Sequence, residues 1–149
     1  MAPSIDVFIR DARIADSRAV ARLADQLGYS VTVDDIEARL GKIRQNTDER
    51  VIVAENSEGV VVGWTTFGIT EHIHSKPYVE VSGFVVEQDF RGKGVGRKMI
   101  DEVERWTRDK GLLTIRLHAN VTRKAAHMFY QAIGFEKIKE QYAFRKELK

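Results

Sequence analysis

The order of apolar and polar positions divides the chain into segments of two periods. Residues 7–11 are a short, mostly apolar run that predicts a strand. Beyond them Val20, Leu23, Ala24 and Leu27 recur at i, i+3, i+4 and i+7, the spacing of one helix face. Asp16 stands where that helix would be capped, and Gly28 where it would end. Thr32 followed by Asp35 resembles a capping box and opens a second stripe of Ile36, Leu40 and Ile43. Residues 50–55 and 60–68 read as strands, with Asn56, Ser57, Glu58 and Gly59 turning the hairpin between them. Another β-rich run covers 79–86. Val95, Met99, Ile100, Val103 and Trp106 then mark a helix that ends before Gly111. Residues 113–118 read as a strand. Thr122 can cap a last helix with Ala126, Phe129, Tyr130 and Ile133, stopped by Gly134. Residues 135–139 and 141–146 look like a closing strand pair. The predicted order is β-α-α-β-β-β-α-β-α-β-β. That is a mixed α/β fold with a mostly antiparallel sheet and one parallel crossover, formed by a single domain over residues 1–149.

The crossover carries the densest chemical signal. The 79–86 run ends in a polar corner, Glu87-Gln88-Asp89, and Arg91, Gly92, Gly94 and Gly96 follow just before the helix. A strand feeding a glycine-rich turn at a helix N-terminus predicts an anion site. The first amides of a helix are unpaired, the helix dipole adds partial positive charge, and glycine lets backbone approach a phosphate. Arg91, Lys93, Arg97 and Lys98 flank the turn. Those charges also have a purely helical explanation, since Arg97–Asp101, Lys98–Glu102 and Glu104–Arg108 stand four apart.

Composition narrows the ligand. Lys and Arg total 24 against 22 Asp and Glu, a net charge of +2, which gives no support for a nucleic-acid or membrane surface. There is no cysteine, hence no thiolate nucleophile and no cysteine-based zinc site. The 4 histidines, His72, His74, His118 and His127, have no convincing metal spacing, so no metal is expected. No segment approaches the ~18 apolar residues of a membrane span, and no signal-peptide pattern opens the chain, so a cytoplasmic protein is the simplest expectation. Two phosphate motifs fail at named positions. A G-x-G-x-x-G fingerprint begun at Gly92 would need glycine where Arg97 stands. A P-loop begun there meets Arg97, Lys98 and Met99, without the magnesium-binding hydroxyl.

Arg91, Gly94 and Gly96 do fit another pattern, Gln/Arg-x-x-Gly-x-Gly/Ala. With the preceding 83–90 stretch, with Asn120 just past a strand, and with Ala126, Phe129, Tyr130, Ile133, Gly134 and Phe135 downstream, the chain resembles the GNAT superfamily of N-acetyltransferases. The similarity covers nearly the whole sequence and is strongest over 79–136. It implies acetyl-coenzyme A as cosubstrate, with its pyrophosphate on the backbone of Arg91, Gly92, Lys93, Gly94, Val95, Gly96 and Arg97. In such proteins the fourth and fifth strands splay, often at a bulge, and the fourth strand pairs with the pantetheine arm. By resemblance Phe84, Val85 and Val86 make those contacts, Gly83 is the bulge position, and Asn120 hydrogen-bonds the arm.

The resemblance also places a general acid at Tyr130, where a phenol of pKa ~10 keeps a proton for a departing thiolate. Phe129 and Ile133 are the more obvious core residues of that helix, so Tyr130 could equally be an aromatic at the edge of the core. Glu80 is the candidate general base, read as opening the fourth strand and alternating with Ser82 and Phe84 on one face. Glu71, His72 and His74 in the preceding loop are its rivals. Residues 28–35, with Tyr29, Asp34 and Asp35, would border an acceptor site of mildly acidic character. The expected reaction is direct acetyl transfer to a primary amine of a small molecule or protein, without a covalent enzyme intermediate. A non-catalytic acyl-coenzyme A binding or sensing module is the alternative. Homodimers are usual in the family, which makes a homodimer possible here.

Overall fold

Runs of Val, Ile, Thr and aromatic residues build the sheet, and helical stripes cover it on both faces. The computed structural model describes residues 4–149. Its elements are β1 (Val7–Asp11), α1 (Ser17–Asp25), α2 (Val33–Ile43), β2 (Glu49–Asn56), β3 (Val61–His72), β4 (Ser75–Val86), α3 (Val95–Asp109), β5 (Ile115–Leu117) and α4 (Lys124–Ala132). The chain divides into two compact units, the first ending at Leu117 and the second running from His118 to Lys149.

The first unit holds the whole sheet, in the order β1-β2-β3-β4-β5. The pairs are antiparallel except β4–β5, which is parallel, as the β-α-β crossover through α3 requires. One face packs Val51, Val53, Trp64 and Val85 beneath Leu23, Ile36 and Leu40 of α1 and α2. The other packs Ile52, Val62, Phe67, Val79 and Val81 beneath Met99, Val103 and Trp106 of α3. With both faces covered, β2 and the start of β3 are continuously apolar rather than alternating.

Helix starts were only partly legible. Thr32 Oγ1 accepts from the Asp35 amide at 3.1 Å, the expected cap of α2. Asp16 does not cap α1. Its carboxylate accepts from the Arg13 amide at 2.7 Å and from both terminal nitrogens of Arg10, at 2.8 and 3.0 Å. Burial would raise the Asp16 carboxyl, but those hydrogen bonds outweigh it and hold it below the usual carboxylate range.

The second unit, taken by itself, contains α4 and no strand. The closing pair expected at 135–139 and 141–146 does not form. Ile138, Tyr142 and Phe144 keep strand periodicity but are all exposed. A strand pattern becomes a strand only against a partner edge, and this unit supplies none.

Candidate active site

The β3–β4 ladder decides where backbone groups become free. Thr66 pairs with Gly83 but Phe67 pairs with Val81, so Ser82 is an extra residue, a bulge opposite the Thr66/Phe67 step. Only glycine fits beside it: a Cβ on Gly83 would lie 2.8 Å from the Trp64 ring. The bulge shifts the alternation of β4. Val79, Val81, Phe84 and Val86 all pack toward α3, while Val85 packs toward α1 and α2.

On its other edge β4 pairs with β5 only through Val79, Glu80 and Val81. The strand then runs on to Val86 without a β5 partner, so the two strands diverge at the bulge. The Glu87 amide donates to Val62 O on β3 at 2.8 Å. By two-residue alternation the Val85 backbone also faces β3, and the Phe84 and Val86 backbones face the divergent edge. Arg91 Nε reaches Val86 O from that side at 2.9 Å.

A tight 3-10 turn, Gln88–Phe90, leads from β4 into the glycines. Gly92 and Gly94 have φ of 76° and 86°, the left-handed region that glycine alone enters at little cost. Ile5 N donates to Lys93 O at 3.1 Å and steadies the turn from outside. The amides of residues 92–97 have no hydrogen-bond acceptor among the described residues. Six successive free N–H groups at the start of the 15-residue helix α3 suit a doubly charged diphosphate. Gly96 and Val95 are buried in the first turn, so they act through backbone. The i, i+4 pairs that would have explained the basic residues do not form among the described residues. Glu102 binds Arg50 at 2.8 Å and Arg105 instead, and Lys98 Nζ lies 3.4 Å from Ile5 O.

The hairpin end of β3–β4 carries a polar strip. Glu80 is mid-strand rather than at a strand start, because β4 begins at Ser75. It shares a face with Thr70, whose Oγ1 is 3.3 Å from Glu80 Oε2. Phe84 is not on that face, since the bulge has turned it toward α3. His72 lies at the end of β3 rather than in a long loop. Its Nε2 is 3.2 Å from the Tyr78 hydroxyl, and its ring stacks on His74 at 5.3 Å and 6°.

In the second unit Tyr130 is 8% exposed and meets Phe129 and Phe135 at ring separations of 5.4 and 5.8 Å. Burial pushes its phenol up, opposed by the nearby Arg123 charge, so it holds its proton across the neutral range. Asn120 Oδ1 accepts from the Thr122 amide at 3.0 Å and hydroxyl at 2.8 Å, while its carbonyl oxygen lies 2.8 Å from His127 Nε2. Thr122 is therefore bound to Asn120 and does not cap α4, whose N-cap is Arg123.

The sequence model of the Acetyltransferase (GNAT) family matches residues 18–135. The chain belongs to that family. As a GNAT acetyltransferase it takes acetyl-coenzyme A as cosubstrate. It is 30% identical over 144 residues to an aminoglycoside N(6')-acetyltransferase type 1 of Stenotrophomonas maltophilia, covering 94% of this chain and 93% of that one. It is 27% identical over 127 residues to an aminoalkylphosphonate N-acetyltransferase of Salmonella typhimurium, covering 85% and 78%. Among solved structures, the aminoglycoside N-acetyltransferase AAC(6')-Iy in complex with coenzyme A superposes with a TM-score of 0.85 at 24% identity, over 99% of both chains, and so shares the fold. No helix among the described residues is long and apolar enough to cross a membrane.

For a GNAT protein the turn makes a direct prediction. Gly94→Val places a β-branched side chain at φ 86°. Calorimetry should show coenzyme A binding weakened at least tenfold, ~1.4 kcal/mol. Unchanged affinity in the folded variant would refute the diphosphate assignment. The polar strip also holds two residues that sequence reasoning passed over. Tyr78 could have been found by stepping two residues back from Glu80. Arg116 could not, because its place beside Glu80 depends on the β4–β5 register.

Proposed function

We propose that this GNAT protein transfers the acetyl group of acetyl-coenzyme A directly to the primary amine of a small molecule. The observation that carries the reading is the divergence of β4 from β5 beyond Val81, followed after the Gln88–Phe90 turn by six amides with no acceptor among the described residues. One edge and one turn suit one extended thioester ending in a diphosphate. Phe84 and Val86 present backbone groups to the pantetheine arm, Val85 supports them from the core, and Asn120 adds a side-chain contact. Residues 91–97 hold the diphosphate through backbone, with Arg91, Lys93 and Arg97 adding charge.

The amine nitrogen attacks the thioester carbonyl carbon, a C–N bond forms, and the C–S bond breaks. The proton released by the amine goes to Glu80, directly or through water. The departing thiolate takes its proton from the Tyr130 hydroxyl. No group on the enzyme is acylated. A backbone N–H of β4 polarises the carbonyl oxygen as its charge grows.

We read residues 1–149 as a single functional domain; the family match, over residues 18–135, runs from the first compact unit into the second. The relatives named above act on aminoglycosides and aminoalkylphosphonates, and both are small amines. The test is an acetyl-coenzyme A turnover screen across amine classes, followed by released thiol. Turnover confined to protein amines would overturn the small-molecule reading. Tight coenzyme A binding without thiol release from any amine would return the non-catalytic binding module.

A further inference from the structure

Arg116 sits in the centre of β5, in parallel register with Glu80 of β4. Residues paired across neighbouring strands share a face and lie about 4.8 Å apart. A glutamate and an arginine so placed would be expected to bind each other. They do not. The Arg116 guanidinium lies over the Tyr78 ring, 4.9 Å from its centroid, and has no hydrogen bond or ion pair among the described residues. Arg10, Arg22, Arg50 and Arg105 each hold a carboxylate.

The support beneath Arg116 is built in layers. Tyr78 is 8% exposed, and its hydroxyl is fixed by His72, which is itself stacked on His74. The ring is therefore a fixed platform, and the half-buried guanidinium rests on it with its fork of N–H donors free. A cation–π contact holds the plane of the guanidinium but leaves its in-plane donors unused. A planar fork held this way accepts a carboxylate, phosphonate or phosphate group with little further ordering.

From this juxtaposition we propose that Arg116 is an anion-binding residue of the acceptor site, and that the natural acceptor is an amine bearing an acidic group two to three bonds from the nitrogen. The inference rests on the acetyltransfer reading above, with Glu80 on the amine. Glu80 then faces the amine and Arg116 the acid, one strand spacing apart. A polycationic acceptor would bring like charge against Arg116. A neutral amine would leave the fork unfilled.

The probes are β-alanine, 2-aminoethylphosphonate, propylamine and the polycation kanamycin, compared by kcat/KM from thiol release. The first two separate a carboxylate from a phosphonate at similar spacing. The wild-type protein should favour one or both acids over propylamine. Arg116→Gln should shrink that preference roughly ten- to hundredfold, the worth of one charge-assisted contact. The change should appear in KM for the acid and not in coenzyme A affinity. Arg116→Lys should restore part of the preference, and Arg116→Glu should move it toward kanamycin. Calorimetric titration of 2-aminoethylphosphonate and β-alanine into the coenzyme A complex reads the same contact without turnover. A preference unchanged in Arg116→Gln, or a wild-type protein that favours propylamine or kanamycin over both acids, overturns the proposal. Acid binding that depends on Arg116, with no thiol released from any amine, would overturn the acetyltransfer reading and leave the anion site standing. No binding and no turnover overturns both.

Discussion

Replacing Tyr130 with Phe should lower kcat by about 10²–10⁴, the usual range for loss of one acid–base group, if thiolate protonation limits the rate. The ring contacts with Phe129 and Phe135 survive the substitution, so the melting temperature and acetyl-coenzyme A binding should change little. Only the donor is lost. The pH profile gives a second readout. A general acid works in its protonated form, so activity should fall as pH rises through the phenol's pKa. Burial raises that pKa above the usual phenol range, which places the limb in the strongly alkaline range. Tyr130→Phe should abolish the limb together with most of the rate. A variant with wild-type kcat on its true acceptor would show that Tyr130 is a wall of the site.

Glu80→Gln should lower kcat by a similar factor, about 10²–10⁴, if proton removal from the amine is rate-limiting. The side chain keeps its shape and its hydrogen-bonding reach to Thr70 Oγ1, so folding and coenzyme A affinity should hold. A base works when deprotonated, so the acidic limb of the pH–rate profile should vanish in the variant. If the limb survives, the proton leaves by another route. His72 would then be the nearest rival on the same strip, although its Nε2 is already engaged with Tyr78. The two variants differ in one useful respect: Tyr130 should set the alkaline limb and Glu80 the acidic one, so a single pair of profiles assigns both roles.

The sequence made some features plain and hid others for physical reasons. Helical stripes and the glycine turn are local patterns, and α3 begins where Val95 and the preceding glycines said it would. β1 matched at both ends. Features set by pairing were hidden. The bulge at Ser82 is a mismatch between two strands, and it reverses the face of Phe84 relative to Glu80. The extension of β3 to His72 depends on its ladder with Ser75 and Tyr78, since Thr70, Glu71 and His72 are polar and gave no strand signal. The 135–146 stretch shows the converse, a strand pattern without a ladder. The polar strip of β4 and β5 combines both difficulties. Glu80 was visible as a candidate base, but the Arg116 beside it belongs to a segment 36 positions away. Only the parallel register brings them together.

The diverging edge of β4 has a consequence for handling the protein. An unpaired strand edge is a template for any extended chain, including that of a neighbouring molecule. On the proposed reading the cosubstrate pairs with that edge and so covers it. Stocks prepared with coenzyme A should therefore resist clumping on storage better than bare protein at equal concentration. The backbone amides of Phe84 and Val86 should exchange with deuterated solvent more slowly in those stocks, while Val85, already turned toward β3, should change least.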